Sequence, residues 1–113
     1  MQIIPHETFG ALIRHCREEK NLPLRKVAAV LDVDTSTLSK MEKNLRNPNR
    51  EHIEKLAVLF ELNTEELLLA FLSDRVAYQL AQEPISEQVL RVAEEKIKYI
   101  RSKNAKPEMP RIG

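Results

Sequence analysis

From Phe9 to Ile100 the apolar residues recur at intervals of three and four in short stripes, and no segment alternates every second residue as a strand would. This pattern predicts an all-α chain. Phe9, Leu12, Ile13 and Cys16 form the first stripe, with Arg14, Arg17 and Glu18 outside it, giving a helix that ends near Lys20-Asn21. Pro23 suits a helix start, where its missing donor costs nothing, and Val27, Ala28 and Leu31 mark a second helix over about Leu24 to Leu31. Asp34 is positioned to cap a third by accepting from the amides of Ser36 or Thr37. In that helix Leu38 and Met41 point inward, while Thr35, Ser36, Ser39 and Lys40 face outward. Three asparagines and Pro48 make 44–49 a loop, and Asn49 caps a fourth helix carrying Ile53, Leu56, Ala57 and Phe60. Asn63 or Thr64 caps a fifth, with Glu65 and Glu66 favourably placed against its dipole and Leu62 and Leu67 as a staple.

Every residue from Leu67 to Leu72 is apolar, which wraps the circumference of a helix where a surface helix would show one stripe. A second surface is expected to cover it. After Pro84 a last helix is expected to open with Ser86 as cap and Ile85 with Leu90 as staple, and to align Val89, Val92 or Ala93, Ile97 and Ile100 on one side. That stripe is the expected cover, in cis or from a partner chain. The organisation predicted is therefore a five-helix domain over 1–72, a helical extension over 73–103 serving dimerisation, and a disordered tail over 104–113, where Pro107 and Pro110 occur without periodicity. At 113 residues the chain suits one core.

The inventory excludes several chemistries. With only Gly10 and Gly113, no glycine-rich phosphate loop can be written. Cys16 is the sole cysteine, which rules out an internal disulfide and any multi-cysteine metal site and agrees with a reducing cytoplasm. His15 and Glu19 have helical ligand spacing, but His6 and His52 lie apart and no third ligand joins them, so no metal and no cofactor is expected. No nucleophile–base pair or carboxylate constellation can be assembled, so the chain is not expected to be an enzyme. The acidic Glu7 and the lack of a sustained apolar run give no expectation of a secretory signal or a membrane span, and no membrane partner is expected. The net charge is only +1, so distribution matters more than the total: between Lys40 and Arg50 four cations, Lys40, Lys43, Arg46 and Arg50, face the single anion Glu42.

The second and third helices, linked by Asp32-Val33-Asp34, form the two-helix unit that presents one helix to the DNA major groove. From Leu22 to Leu68 the chain resembles the repressor-type helix-turn-helix family, also called the xenobiotic-response-element or Cro/phage-repressor-like family. The resemblance is carried by Val27-Ala28, Leu31, Val33, Leu38-Ser39-Lys40-Met41-Glu42, Arg46-Asn47-Pro48, Ile53-Glu54-Lys55-Leu56-Ala57 and Leu62-Asn63. It implies a sequence-specific regulator of transcription that binds double-stranded DNA, in which Thr35, Ser36 and Lys40 read base edges with Thr37 and Ser39 flanking. Lysine donates to guanine, hydroxyls donate and accept, and a threonine methyl meets the thymine methyl.

The same resemblance makes Lys43, Asn44, Arg46 and Arg50 the grip on the phosphate backbone, and pairs Arg17 with Glu42 so that the guanidinium lies near phosphate. Pro23-Leu24 stands where the family has a polar cap followed by a phosphate-holding glutamine, and Asp32 and Asn44 stand where it has glycines. Asn44 can supply the left-handed conformation itself. The combination of Leu22-Pro23-Leu24-Arg25, the run from Leu67 to Arg75 and Val92-Ala93-Glu94-Glu95-Lys96-Ile97-Lys98-Tyr99 resembles a Bacteroidetes-like subgroup, some members of which are associated with restriction-modification loci. The repressor-type family as a whole commonly dimerises, which makes a homodimer the expected state, with Leu69, Leu72, Val76, Val89, Ile97 and Ile100 as the candidate contacts. The competing expectation is an antitoxin or protein-interaction module whose C-terminal helix binds a partner protein.

Overall fold

The structure, a computed structural model, describes residues 7–103, and the expected tail lies outside them. Among the described residues there are six helices and no strand: α1 (Phe9–Glu19), α2 (Leu24–Leu31), α3 (Thr35–Glu42), α4 (Arg50–Leu59), α5 (Thr64–Leu80) and α6 (Ser86–Ser102). The all-α expectation holds. The chain divides into two compact units, the first ending at Tyr78 and the second beginning at Gln79.

In the first unit the helix starts follow the side-chain oxygens. Thr8 accepts from the amide of Ala11 at 3.1 Å to open α1, Asp34 from that of Thr37 at 2.8 Å to open α3, and Asn63 from that of Glu66 at 3.1 Å to open α5. Asn49 caps α4 reciprocally: its Oδ1 accepts from the His52 amide at 2.8 Å while its own amide donates to His52 Nδ1 at 3.1 Å.

The ends are as regular as the starts. Asn21, Asp32, Asn44 and Glu61 follow α1 to α4 with φ between 53° and 62°, the left-handed conformation that usually falls to glycine. In each case the next amide reaches back five residues: Leu22 to the Arg17 carbonyl, Val33 to Ala28, Leu45 to Lys40 and Leu62 to Ala57, at 2.8 to 3.1 Å. Four successive helices thus close with the same motif without a glycine, at a steric cost of about 1–2 kcal/mol per residue that asparagine and aspartate relieve by local hydrogen bonding. This geometry places the following side chain over its own helix end. Leu22, Val33 and Leu62 accordingly pack against the core, whereas Leu45 stays 73% exposed.

All the inward residues anticipated for the first four helices are buried, with Val27, Leu38 and Ile53 at 0% exposure. Each large aliphatic side chain so removed from water contributes about 1.5–3 kcal/mol before conformational entropy is offset. In α5, Leu67, Ala70 and Phe71 join this core, but Leu69, Leu72, Val76 and Tyr78 are exposed. The second apolar face anticipated for residues 67–72 is therefore present on α5.

In the second unit, α6 carries half-buried Val89, Ala93 and Ile100 with exposed Val92 and Ile97. Its start corrects one expectation. Ser86 is not the cap: it is already the first helical residue, Ile85 precedes the helix at φ −102° and ψ 26°, and no side chain caps the end. The turn from Glu83 continues directly into the helix, since the Ser86 amide donates to the Glu83 carbonyl at 3.3 Å and the Ile85 carbonyl accepts the first helical bond from Val89 at 3.0 Å.

Candidate nucleic-acid interface

The outward face of α3 is built by fixing its inward face and both ends. Leu38 and Met41 anchor it in the core, and Asp34 holds its start. The Asp34 carboxyl is held down at about 2, first by the side-chain hydrogen bond from Thr37, then by the Thr37 amide and the Ser36 hydroxyl, with Arg46 adding a smaller attraction. A full negative charge therefore sits at the positive end of the helix dipole at any pH near neutrality.

The far end of α3 is held by three separate contacts to α1. Arg17 grips Glu42 in a two-pronged ion pair, Nε to Oε2 at 2.7 Å and Nη2 to Oε1 at 3.1 Å, while its Nη1 donates to the Leu22 carbonyl at 3.0 Å. The side chains are 13% and 6% exposed, so this is a desolvated pair and not a solvated surface one. Gly10 lets the two backbones meet: a Cβ there would lie 2.6 Å from the carbonyl oxygens of both Met41 and Glu42. Asn44 completes the brace, its Oδ1 accepting from the Gly10 amide and its Nδ2 donating to the Thr8 hydroxyl, both at 2.9 Å. Further along, α5 ties itself to the start of α1, with Asp74 Oδ2 accepting from the Phe9 amide at 2.6 Å and Phe71 meeting the Phe9 ring edge-on at 5.2 Å.

On this frame Thr35, Ser36 and Lys40 are exposed, and Thr37 and Ser39 are half-buried. The hydroxyls of Ser36 and Thr37 turn to the Asp34 carboxylate, so toward any other group they offer lone pairs in place of a proton. Lys43, Asn44 and Arg46 lie in the exposed loop after α3 and Arg50 opens α4. Arg50 has Glu54 at 3.9 Å on its own helix, an exposed pair of little strength. Arg17 and Asn44 differ from these cations because their polar groups serve the scaffold. The residues that sequence reasoning missed are Thr8, Gly10 and Asp74. Thr8 carries a local signal, a hydroxyl three residues before the Ala11 amide at the start of the first apolar stripe, whereas Gly10 and Asp74 act on partners 34 and 65 residues away that no local pattern marks.

Residues 13–67 match the family model described as helix-turn-helix. This segment is a helix-turn-helix domain. The match supports a DNA-binding regulator of transcription and not an enzyme. A chain of a solved SinR protein/SinI protein complex is also similar, at 24% identity and a TM-score of 0.48, over 84% of this chain and 99% of that one. No protein of curated function matches.

Outside the helix-turn-helix face the chemistry is sparse. His15 and Glu19 pair with each other at 3.0 Å, and among the described residues no group of three or more metal-ligating side chains comes together. Burial pushes the Cys16 thiol above its usual pKa, which disfavours the reactive thiolate. Among the described residues no helix is long and apolar enough to cross a membrane.

Proposed function

We propose that this chain is a sequence-specific double-stranded DNA-binding regulator that acts in the cytoplasm as a homodimer on an inverted-repeat operator. The observation that carries the reading is the rigid presentation of α3: a helix with Thr35, Ser36 and Lys40 exposed, clamped from behind by the desolvated Arg17–Glu42 pair. Thr35 and Lys40 are the principal readers of base edges, because their polar groups are not spent on Asp34; Ser36, Thr37 and Ser39 serve as acceptors or through van der Waals contact. Lys43, Arg46 and Arg50 hold phosphates, and Arg17 and Asn44 act mainly by fixing the helix and its loop, with their remaining donors directed at the backbone.

Dimerisation is supported by the stripe Leu69, Leu72 and Val76 on α5, exposed by 61%, 50% and 45%, and by the separate stripe Val89, Ile97 and Ile100 on α6. A symmetric pairing sets two recognition helices roughly 34 Å apart, one turn of DNA. A restriction-modification locus is the setting that the Bacteroidetes-like resemblance favours.

The test is selection of bound duplexes from a random DNA pool by the purified protein, followed by titration of the enriched sequence at two salt concentrations. Enrichment of an inverted repeat with affinity that falls steeply with salt is the expected result. If no sequence is enriched, the reading is wrong, and capture of a protein partner through the exposed α5 and α6 stripes becomes the function to pursue.

A further inference from the structure

A cavity of about 60 Å³ in the first unit lies where the loop after α3 meets the start of α1 and the later turns of α5; Asn44, Arg46, Asn47, Pro48, Asp74 and Arg75 are among its lining residues. We infer that Arg75, on α5 and outside the helix-turn-helix segment, is a further phosphate-binding residue that works with Arg46 to hold one phosphate of the DNA backbone at the mouth of this cavity. The inference rests on the DNA-binding function proposed above and extends its contact surface to a fifth helix.

Three features support it. Arg75 is held in place: its guanidinium lies over the Phe71 ring, 5.7 Å from the centroid, and that ring is wedged against Phe9. A stacked guanidinium loses less freedom when it binds than a loose one, and keeps its in-plane donors for a phosphate. Second, the ion pairs among the described residues engage Arg14, His15, Arg17, Lys20, Arg50, Lys55 and Lys98, but neither Arg46 nor Arg75. Arg46 and Arg75 line one small space with Asp74 as its single acid, so the lining carries an excess positive charge that a bound anion offsets.

Third, the one acid of the lining is already engaged. Asp74 accepts from the Phe9 amide at the start of α1, where the helix dipole offsets its charge. Asn47 adds an amide that can donate to the same oxygen, and Asn44, whose oxygen is spent on the Gly10 amide and one N–H on Thr8, keeps its second N–H. The chemistry of the space is thus that of an anion small enough to be met by two guanidinium forks, and the neighbouring loop cations Lys43 and Arg46 make a backbone phosphate the occupant of choice.

The experiment measures affinity of the full chain for its selected duplex, and for an unrelated duplex, as salt is raised from about 50 to about 200 mM. Arg75→Ala is expected to weaken binding to both duplexes by the same factor and to reduce the slope of log affinity against log salt by about 0.9, which narrows the gap to wild type roughly 3.5-fold over this range. Arg75→Lys should restore the slope, and the thermal midpoint of the unbound protein should stay within a few degrees for both variants. An Arg75→Ala slope equal to wild type overturns the inference while the proposed function stands, as does a reduced slope that lysine does not restore, since the charge at this position would then not be what meets the phosphate. A wild-type protein that binds no duplex in a salt-dependent way removes the proposed function and this inference with it.

Discussion

Replacing Gly10 by alanine sets helix propensity against packing, and the two predict opposite signs. Gly10 is the second residue of α1, and exchanging a helical glycine for alanine ordinarily stabilises by about 1 kcal/mol. Here the added Cβ would stand 2.6 Å from two main-chain oxygens, those of Met41 and Glu42, and 2.7 Å from Asn44 Oδ1. Ordinary carbon–oxygen approach is about 3.3 Å or more, so each atom must retreat by roughly 0.7 Å. The carbonyls belong to the end of α3, which Leu38, Met41 and the Arg17–Glu42 pair hold in place, so no flexible side chain can absorb the shift.

Overpacking of this kind costs about 1–3 kcal/mol, and weakening the bond from the Gly10 amide to Asn44 adds about 0.5–1.5 kcal/mol. Set against the gain in propensity, the net is a loss of about 2 kcal/mol, which for a domain of this size lowers Tm by roughly 8–16 °C. Thermal unfolding followed by far-ultraviolet circular dichroism measures it. Because the strained contact lies behind the recognition helix, duplex affinity should also fall at temperatures where the variant is still folded. A Gly10→Ala protein that melts at or above the wild-type temperature would refute the close approach of α1 to α3.

Four further outcomes are expected. Glu42→Ala leaves the Arg17 guanidinium desolvated without its partner and should cost about 3–5 kcal/mol in urea unfolding, whereas the double variant Arg17→Met, Glu42→Leu should recover most of that loss. Lys40→Ala and Thr35→Ala should change which sequences are enriched from a random pool, while Arg46→Ala weakens all duplexes alike; the reverse partition would invert the groove assignment. Since the Asp34 carboxyl is depressed from 3.8 to about 2 in the folded protein, its contribution to stability is complete above about pH 5 and is lost as pH falls through 3.8 toward 2. Asp34→Asn keeps the cap but should flatten the unfolding midpoint across that interval. Leu72→Glu on α5 should turn a dimer into a monomer in sedimentation without lowering the melting temperature of the folded monomer, because the side chain is already half exposed.

Local order in the sequence determined most of the architecture. The 3.6-residue period located all six helices, and the short polar side chains Asp34, Asn49 and Asn63 marked their starts, because a cap needs only an acceptor two or three residues before an orphan amide. The Arg17–Glu42 pair was legible only through family resemblance, its partners being 25 residues apart. Ser86 misled because a hydroxyl before an apolar stripe has the same composition whether it caps a helix or already lies within it, and only the preceding turn distinguishes the two.

Tertiary structure decided what the interface is made of. That Asn44 braces α1 and that Asp74 caps a helix 65 residues earlier are matters of which distant groups come within 3 Å, and that Leu45 alone of four equivalent residues faces water depends on what packs beside it. The apolar period records that a face must be buried, because burial scales with area and has no direction. A hydrogen bond or a backbone contact depends on distance and angle, and those are set only when the helices have packed.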